Sequence, residues 1–579
     1  MSSRAKSKSR FAVEGDDRRY KWVALSNTTL GTLMATINSS IVIISLPDIF
    51  RGIRLDPLRP GNVSYLLWVL MSYLVVTAVL VVTLGRLGDL YGRVKIYNLG
   101  FAVFTLGSVA LVFDPLTQGG GALWLIIWRV VQGVGAAMLF ANSTAILTDA
   151  FPVERRGFAL GINQVAAIGG SFIGLIVGGL LAPVDWRLVF FVSVPFGLLG
   201  TVWSYRSLRE TSARSAVTRI DWWGNGLFAV GLTALLVAIT YGIQPYGGHD
   251  MGWTNPWVLT GLVGGVALLV VFCLVEASVD DPMFDMSLFR IRAFSAGNLA
   301  GLLASVSRGG LQFMLIIWLQ GIWLPLHGFS FSSTPLWAGI YLLPLTVAFL
   351  FAGPLSGYYS DRFGARTFAT GGLVLVAVSL LGLMLLPTDF NDWAFAGLLV
   401  LNGIGSGLFS APNTSAIMSS VPANRRGAAS GMRGTFFNSG TSLSIGVFFT
   451  LMIVGLAQTL PGALTNGLQA HGVSPAVAAG IANQPPVGSL FAAFLGYNPL
   501  GTTLGALPAS ATRGADLGTL TSKEFFPQLI SGPFHHGLVI VLMLAILMSL
   551  IGAAASLFRG PRYIHAESVA SVDVPRPRS

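Results

Sequence analysis

Residues 85–93 read GRLGDLYGR, and residues 357–366 read GYYSDRFGAR. Both contain Gly-x-x-x-Asp-x-x-Gly followed by an arginine, and both lie between long apolar runs. A second pair of segments follows in the same order: PVERRG (152–157) matches PANRRG (422–427). Just before these, QGVGAAMLFANSTAI (132–146) matches NGIGSGLFSAPNTSAI (402–417). Gly133 to Pro152 spans 19 positions, and so does Gly403 to Pro422. Several motifs kept in one order at one spacing indicate an internal duplication.

The runs around these motifs fix the class. Of the 579 residues, 53% are hydrophobic and only 10% charged, with a mean hydropathy of +0.71. A water-soluble domain carries roughly a quarter charged residues. A hydrocarbon layer about 30 Å thick needs roughly 20 apolar residues per helical crossing. Fourteen runs meet that length, which predicts an all-α integral membrane protein. The duplication divides it into a six-helix bundle over 22–204 and a second over 294–557, with two inserted helices over 222–276. Tails of 1–21 and 558–579 and linkers of 205–221 and 277–293 complete the chain. A long loop, 457–533, interrupts the second bundle. The first run follows a hydrophilic tail and is too long for a cleaved signal segment, so it is expected to stay as a helix.

The net charge of +11 encodes orientation rather than a nucleic-acid partner. With fourteen crossings both termini share a side. The tails and the loops holding Arg86, Arg93, Lys95, Arg155, Arg206, Arg290, Arg362 and Arg425 fall on that side. Only Arg51, Arg54, Arg59, Arg187, Arg513 and Lys523 fall on the other. An excess of Lys and Arg marks cytoplasmic loops, so both termini are expected in the cytoplasm, in an inner or plasma membrane. The one cysteine, Cys273, excludes an internal disulfide and a cysteine metal site, and its apolar run predicts a buried position.

GRLGDLYGR resembles the signature loop of the major facilitator superfamily, and fourteen helices resemble its drug:proton antiporter branch. Trp68 with Tyr73 and Leu74, the Arg-x-x-Gln-Gly run 129–133, and Trp186-Arg187 through Gly197 agree with that branch. So does Asp221-Trp222-Trp223-Gly224 at the start of the insert. The resemblance implies two six-helix bundles and export of a small lipophilic or amphiphilic substrate. It also implies exchange against protons and no cofactor.

Each motif has a physical reading. Gly85, Gly88 and Gly92 let two helices turn and pack where a Cβ would obstruct. Asp89 can accept from a neighbouring helix N-terminus and from Arg86 or Arg93, a latch suited to a bistable gate. Gly357, Asp361 and Gly364 repeat the arrangement. Arg129, near Gln132 and Gly133, sits inside a span, where a charge costs about 2.5–3.5 kcal/mol on insertion scales and usually faces a cavity or partner. Its repeat-related position is Leu399, so the helix does not itself require arginine. The resemblance makes Arg129 a proton-relay or conformational residue; snorkelling to the interface is the alternative. Gly170, Gly174 and Gly178 form a smooth stripe for close packing. The resembling motif has proline after the second glycine, where this chain has Leu175. Arg308 either lines the cavity and attracts an anionic group or marks a helix break. Thr36, Asn38, Trp68, Tyr73, Asn142, Asn163, Gln312, Gln320 and Phe437 are further cavity candidates.

One residue departs from the branch. Ile37-Asn38-Ser39-Ser40-Ile41-Val42 aligns with a segment that commonly carries aspartate, and Asn38 occupies that place. Asparagine has nearly the shape of aspartate but cannot gain or lose a proton. The remaining acids lie in tails, loops or span ends, Asp48 and Asp149 among them. Three readings follow: an exporter of drugs or amphiphiles with proton exchange, a lipid or lipophilic-metabolite exporter or facilitator without the usual proton site, or a non-transporting sensor or scaffold on the same fold. No metal spacing or activated nucleophile suggests an enzyme, and nothing requires more than a monomer. The 457–533 loop is expected to hold short amphipathic helices at the interface, and its apolar content favours a lid or lipid-facing cap over a solvated linker.

Overall fold

The computed structural model describes residues 2–56, 62–210, 221–279, 282, 284–422, 425–483, 485–496, 498–505 and 514–560. Side chains at 2–18, 63, 153, 154, 156, 157, 361, 426, 427 and 502 are outside that description. Among the described residues, fourteen helices are long and apolar enough to cross a membrane. In the first half they are α1 (Arg19–Gly52), α2 (Ser64–Tyr91), α3 (Arg93–Val112), α4 (Gln118–Ala150), α5 (Phe158–Leu181) and α6 (Leu188–Ser207). The insert is α7 (Trp222–Gly242) and α8 (Pro256–Glu276). The second half is α9 (Arg292–Leu326), α10 (Thr334–Ser360), α11 (Ala365–Leu385), α12 (Asp392–Ser419), α13 (Ala428–Ala470) and α14 (Phe525–Leu557). Helices are forced here because lipid offers the backbone no hydrogen-bond partner.

The duplication is present in the backbone. Gly92 (φ +111°) separates α2 from α3, and Gly364 (φ +92°) separates α10 from α11. Each donates its N–H four residues back, to Gly88 O at 2.9 Å and Ser360 O at 2.8 Å. Only glycine adopts such a φ without strain. The helix pairings repeat as well. In the first bundle α1 packs on α5, α2 and α3 on α4, and α3 on α6; in the second α9 packs on α13, α10 and α11 on α12, and α11 on α14. Even single contacts correspond: a Cβ at Gly85 would lie 3.5 Å from Ala141 Cβ, and one at Gly357 would lie 3.6 Å from Ala411 Cβ.

The glycine stripe of α5 lies against α1. A Cβ at Gly170 would reach within 2.2 Å of Thr36 Oγ1, one at Gly174 within 2.2 Å of Ser40 Oγ, and one at Gly178 within 2.6 Å of Ile44 Cγ2. Thr36 and Ser40 turn their hydroxyls to their own helix, Thr36 to Thr32 O at 2.9 Å and Ser40 to Ile37 O at 3.1 Å. The seam can therefore close tightly over Thr36 and Ser40 with both hydroxyls bonded. At Gly174 the obstruction includes backbone, with Ile37 O at 2.5 Å. Gly174→Ala must push the two helices apart, an overpacking cost of about 1–3 kcal/mol. Purified in detergent, that variant is expected to unfold several degrees below the parent. An unchanged midpoint would show that the seam yields.

The inserted α7 and α8 pack on each other, and α7 also rests on α2 and α13. Thr83 donates to Asn225 Oδ1 at 2.8 Å across that contact. The outer faces of the pair are apolar and exposed, as lipid contact requires. Cys273 is on such a face of α8, not buried as its run predicted.

The 457–533 segment differs most from expectation. Its first part, to Ala470, continues α13 through Pro461, and its last part, from Phe525, begins α14 ahead of Pro533. Both prolines lie inside these helices and do not stop them. Between them, Pro486–Phe494 forms a short helix with eight of its nine residues buried. It inserts between α9 and α13: Phe491 stacks on Phe449 at 5.4 Å, and Phe494 meets Phe313 at 6.2 Å. A Cβ at Gly321 of α9 would lie 3.0 Å from Phe494 Cα. It is a plug within the bundle rather than an interfacial cap. The piece of α9 that receives it, Leu319–Trp323, winds as a π-helix. Such local departures accommodate neighbours that a regular helix cannot.

Candidate functional site

Three clusters carry the polar chemistry. The first is centred on Arg129, which is 1% exposed. Its Nη1 donates to Asn38 Oδ1 at 2.5 Å and to Gln132 Oε1 at 3.0 Å. The guanidinium also lies 4.4 Å from the centroid of the Tyr73 ring. A second layer holds these partners in place. Asn38 Nδ2 donates to Ser193 Oγ at 3.2 Å, Gln132 Nε2 to Ser108 Oγ at 2.8 Å, and Tyr73 OH to Ala35 O at 2.8 Å. Gly133 lets α4 close on α2, since a Cβ there would lie 3.1 Å from Tyr73 O. Arg129 thus sits deep in the first bundle rather than snorkelling to a surface. Every described partner is neutral, and a permanent cation is solvated by amide oxygens and a π-face.

The second cluster lies where α2 turns into α3. Arg93 Nε donates to Asp89 Oδ1 at 2.8 Å, and its Nη1 to Asp149 at 2.6 and 2.8 Å. Glu210, just beyond α6, accepts from the backbone of Arg93 at 2.7 Å and of Val94 at 3.2 Å, placing a carboxylate at the N-terminus of α3. Arg86 reaches Pro282 O instead of Asp89. Gly88 leaves room for Asn142, whose Oδ1 would lie 1.9 Å from a Cβ there. These bonds gather the ends of α2, α3, α4 and α6. In the second copy, the Asp361 side chain lies outside the described residues.

The third is a partly open cleft with a cavity volume of about 70 Å³, toward the terminus-bearing ends of α9, α12 and α13. Its lining includes Gln164 of α5, Arg308, Asn298, Asn402, Asn413, Arg433 and Phe437. At the opposite end the bundles meet. A Cβ at Gly179 would lie 2.5 Å from Leu336 Cα, and Gln320 Nε2 donates to Ile44 O at 3.1 Å.

Other candidates fall elsewhere. Trp68 packs on Tyr241 of the insert, with centroids 6.0 Å apart. Asn163 donates to Ser143 Oγ at 2.9 Å, joining α5 to α4. Asp48 pairs with Arg51 at 2.9 Å at the far end of α1. Gln312 is half-buried in α9. Ser108, Ser193 and Glu210 were not singled out from sequence; hydroxyls within apolar runs and one acid in a basic linker give no signal there. Arg433 and Arg559 read only as topology charges.

This duplicated bundle, with its paired glycine turns and its arginine within α4, decides the comparison. A profile of the Major Facilitator Superfamily matches residues 28–306 and 224–445 in overlapping stretches. The chain belongs to the major facilitator superfamily. Within the superfamily it is 28% identical over 539 residues to the tetracenomycin C resistance and export protein of Streptomyces glaucescens, across 93% of this chain and 91% of that one. It is 27% identical over 434 residues to the riboflavin transporter RibZ of Clostridioides difficile, across 74% and 88%. Among solved structures, a bacterial homologue of the human lysosomal transporter Spinster, inward-facing and occupied, shares the fold. Its TM-score is 0.54 over 94% of this chain and 97% of that one, at 15% identity. The protein is a multi-pass membrane protein resembling the drug exporters of this superfamily.

Proposed function

We propose that this protein exports amphiphilic or lipophilic small molecules by alternating access, with both termini in the cytoplasm of an inner or plasma membrane. The cleft carries this reading. It combines polar and apolar lining, it lies toward the terminus-bearing end, and the bundles meet at the other. Substrate would load from the cytoplasmic side and leave when the two bundles rock about it. In this cycle the Asp89–Arg93–Asp149 network stiffens the cytoplasmic ends of the first bundle and serves as half of the gate.

The Arg129 cluster favours a second reading of the energetics. Where the branch carries an acid, Asn38 offers Arg129 only an amide oxygen. A site without a titratable partner has no proton to exchange, so transport through it runs down the substrate's own gradient. Everted vesicles loaded with a panel of cationic, neutral and anionic fluorescent amphiphiles test both readings. At least one dye is expected to move tenfold faster than in protein-free vesicles, without stimulation by an imposed proton gradient. If no dye moves, export is wrong. If an uncoupler abolishes accumulation, the gradient-independent reading is wrong.

A further inference from the structure

Among the described residues, three arginines of the second bundle are not exposed and make no ion pair. Arg308 lies in α9, Arg433 near the start of α13, and Arg559 just past α14. Arg308 and Arg433 both line the cleft, and that lining contains no aspartate or glutamate. Arg433 Nε is buried without a hydrogen bond. Arg559 is 5% exposed, and burial pushes its guanidinium down to about 10. Its Nη2 donates to Asn413 Oδ1, while its Nε and Nη1 are buried without partners. Asn413 lines the cleft and donates to Gly297 O at 3.1 Å, so Arg559 braces the wall from behind.

Snorkelling does not account for Arg308. At 1.5 Å per residue it lies about 24 Å from one end of α9 and about 27 Å from the other, beyond the reach of its side chain. Its guanidinium lies 5.9 Å from the Phe349 ring centroid. A guanidinium stays charged at any accessible pH, so its burial cost cannot be relieved by losing a proton. Two such groups in one acid-free cleft raise a positive potential there. An arriving anion would lower that cost, whereas an arriving cation would raise it. The remaining lining suits the rest of an amphiphile, with Phe409, Phe436, Phe437 and Leu311 giving apolar surface and Asn298 and Asn402 giving neutral polar groups.

We infer that this cleft is an anion-binding site for an amphiphile bearing one acidic group, with Arg308 and Arg433 supplying its positive potential and the phenylalanines receiving the apolar body. That the anion is cargo rests on the export reading; the binding itself does not.

Equilibrium dialysis of the protein in phosphatidylcholine nanodiscs, against empty nanodiscs, measures this directly. The probes are pyrenebutyrate, pyrenebutanol and a pyrenebutyl-trimethylammonium salt, which share one ring and differ in charge. Pyrenebutyrate is expected to bind at least tenfold tighter than the alcohol, and the cation weakest. Arg308→Gln and Arg433→Gln are each expected to cut the preference for the carboxylate about tenfold while leaving pyrenebutanol affinity unchanged. Retained alcohol binding certifies that the variants are folded. Equal affinity for all three probes, or equal loss of alcohol and carboxylate in both variants, overturns the site. Phosphatidylglycerol nanodiscs separate the sources of the anion. Displacement of the probe there supports the site with a lipid headgroup as its ligand, and undiminished binding supports it with a free acid. Selective binding without movement in vesicles would overturn export and leave the site standing. Movement of dyes without charge selectivity in binding would do the reverse.

Discussion

Arg129→Ala is expected to lower dye movement in vesicles at least a hundredfold and to unfold well below the parent. The substitution removes three hydrogen bonds, two to Asn38 and one to Gln132, and the cation over Tyr73, and it leaves Asn38 Oδ1 and Gln132 Oε1 facing a void. An unfilled volume and stranded amides together cost about 2–4 kcal/mol. That loss falls on the contact joining α1 to α4, whose relative position any rocking motion must preserve. Arg129→Lys separates charge from shape. An ammonium keeps the charge but not the planar fork, so it is expected to recover stability more than transport. Transport by Arg129→Ala within threefold of the parent would make the cluster ornamental to the cycle.

Asn38→Asp should have an effect as large and of the opposite kind. It places a carboxylate beside a guanidinium already within 2.5 Å, with Ser193 still available to hold the other oxygen. At neutral pH the added negative charge meets a permanent positive one in a setting closed to water, so the variant is expected to unfold at a higher temperature than the parent. The gain should disappear in acid, where the carboxyl takes up a proton. The parent's transport is expected to vary less than twofold from pH 5.5 to 8.5, and the variant's at least tenfold, with stimulation by a proton gradient. A steep profile for the parent would move the search to Asp48 or to His536, which contacts Gln458 at 3.2 Å.

Much of the architecture was legible in the chain because lipid leaves few options. Runs of apolar residues had to be helices, and the paired Gly-x-x-x-Asp-x-x-Gly segments had to turn at equivalent places. Gly92 and Gly364 meet that expectation with matching backbone angles. The 457–533 segment was not legible, since Pro461 and Pro533 look like breaks and are tolerated inside long helices. Periodicity could not distinguish a plug facing protein from a cap facing lipid, because both surfaces are apolar. At the site, Arg129 and Asn38 stood out as a charge and a missing charge. Their coupling to Ser193 and Ser108 depends on how α1, α4, α6 and α3 converge, which no local pattern encodes. Thr36 and Trp68 looked like cavity residues for their polarity and size, and they serve helix seams.

The buried helix Pro486–Phe494 bears on the bilayer's part in the cycle. In water, withdrawing eight buried residues would be prohibitive. In a membrane, acyl chains solvate leucine, phenylalanine and valine about as well as a protein interior does, so only tight packing is lost. In the proposed cycle, opening the far end would exchange a protein solvent for a lipid one, at a cost set by how readily the chains make room. Turnover should slow in ordered, saturated bilayers and quicken in fluid ones, with the host membrane acting as the spring of the gate.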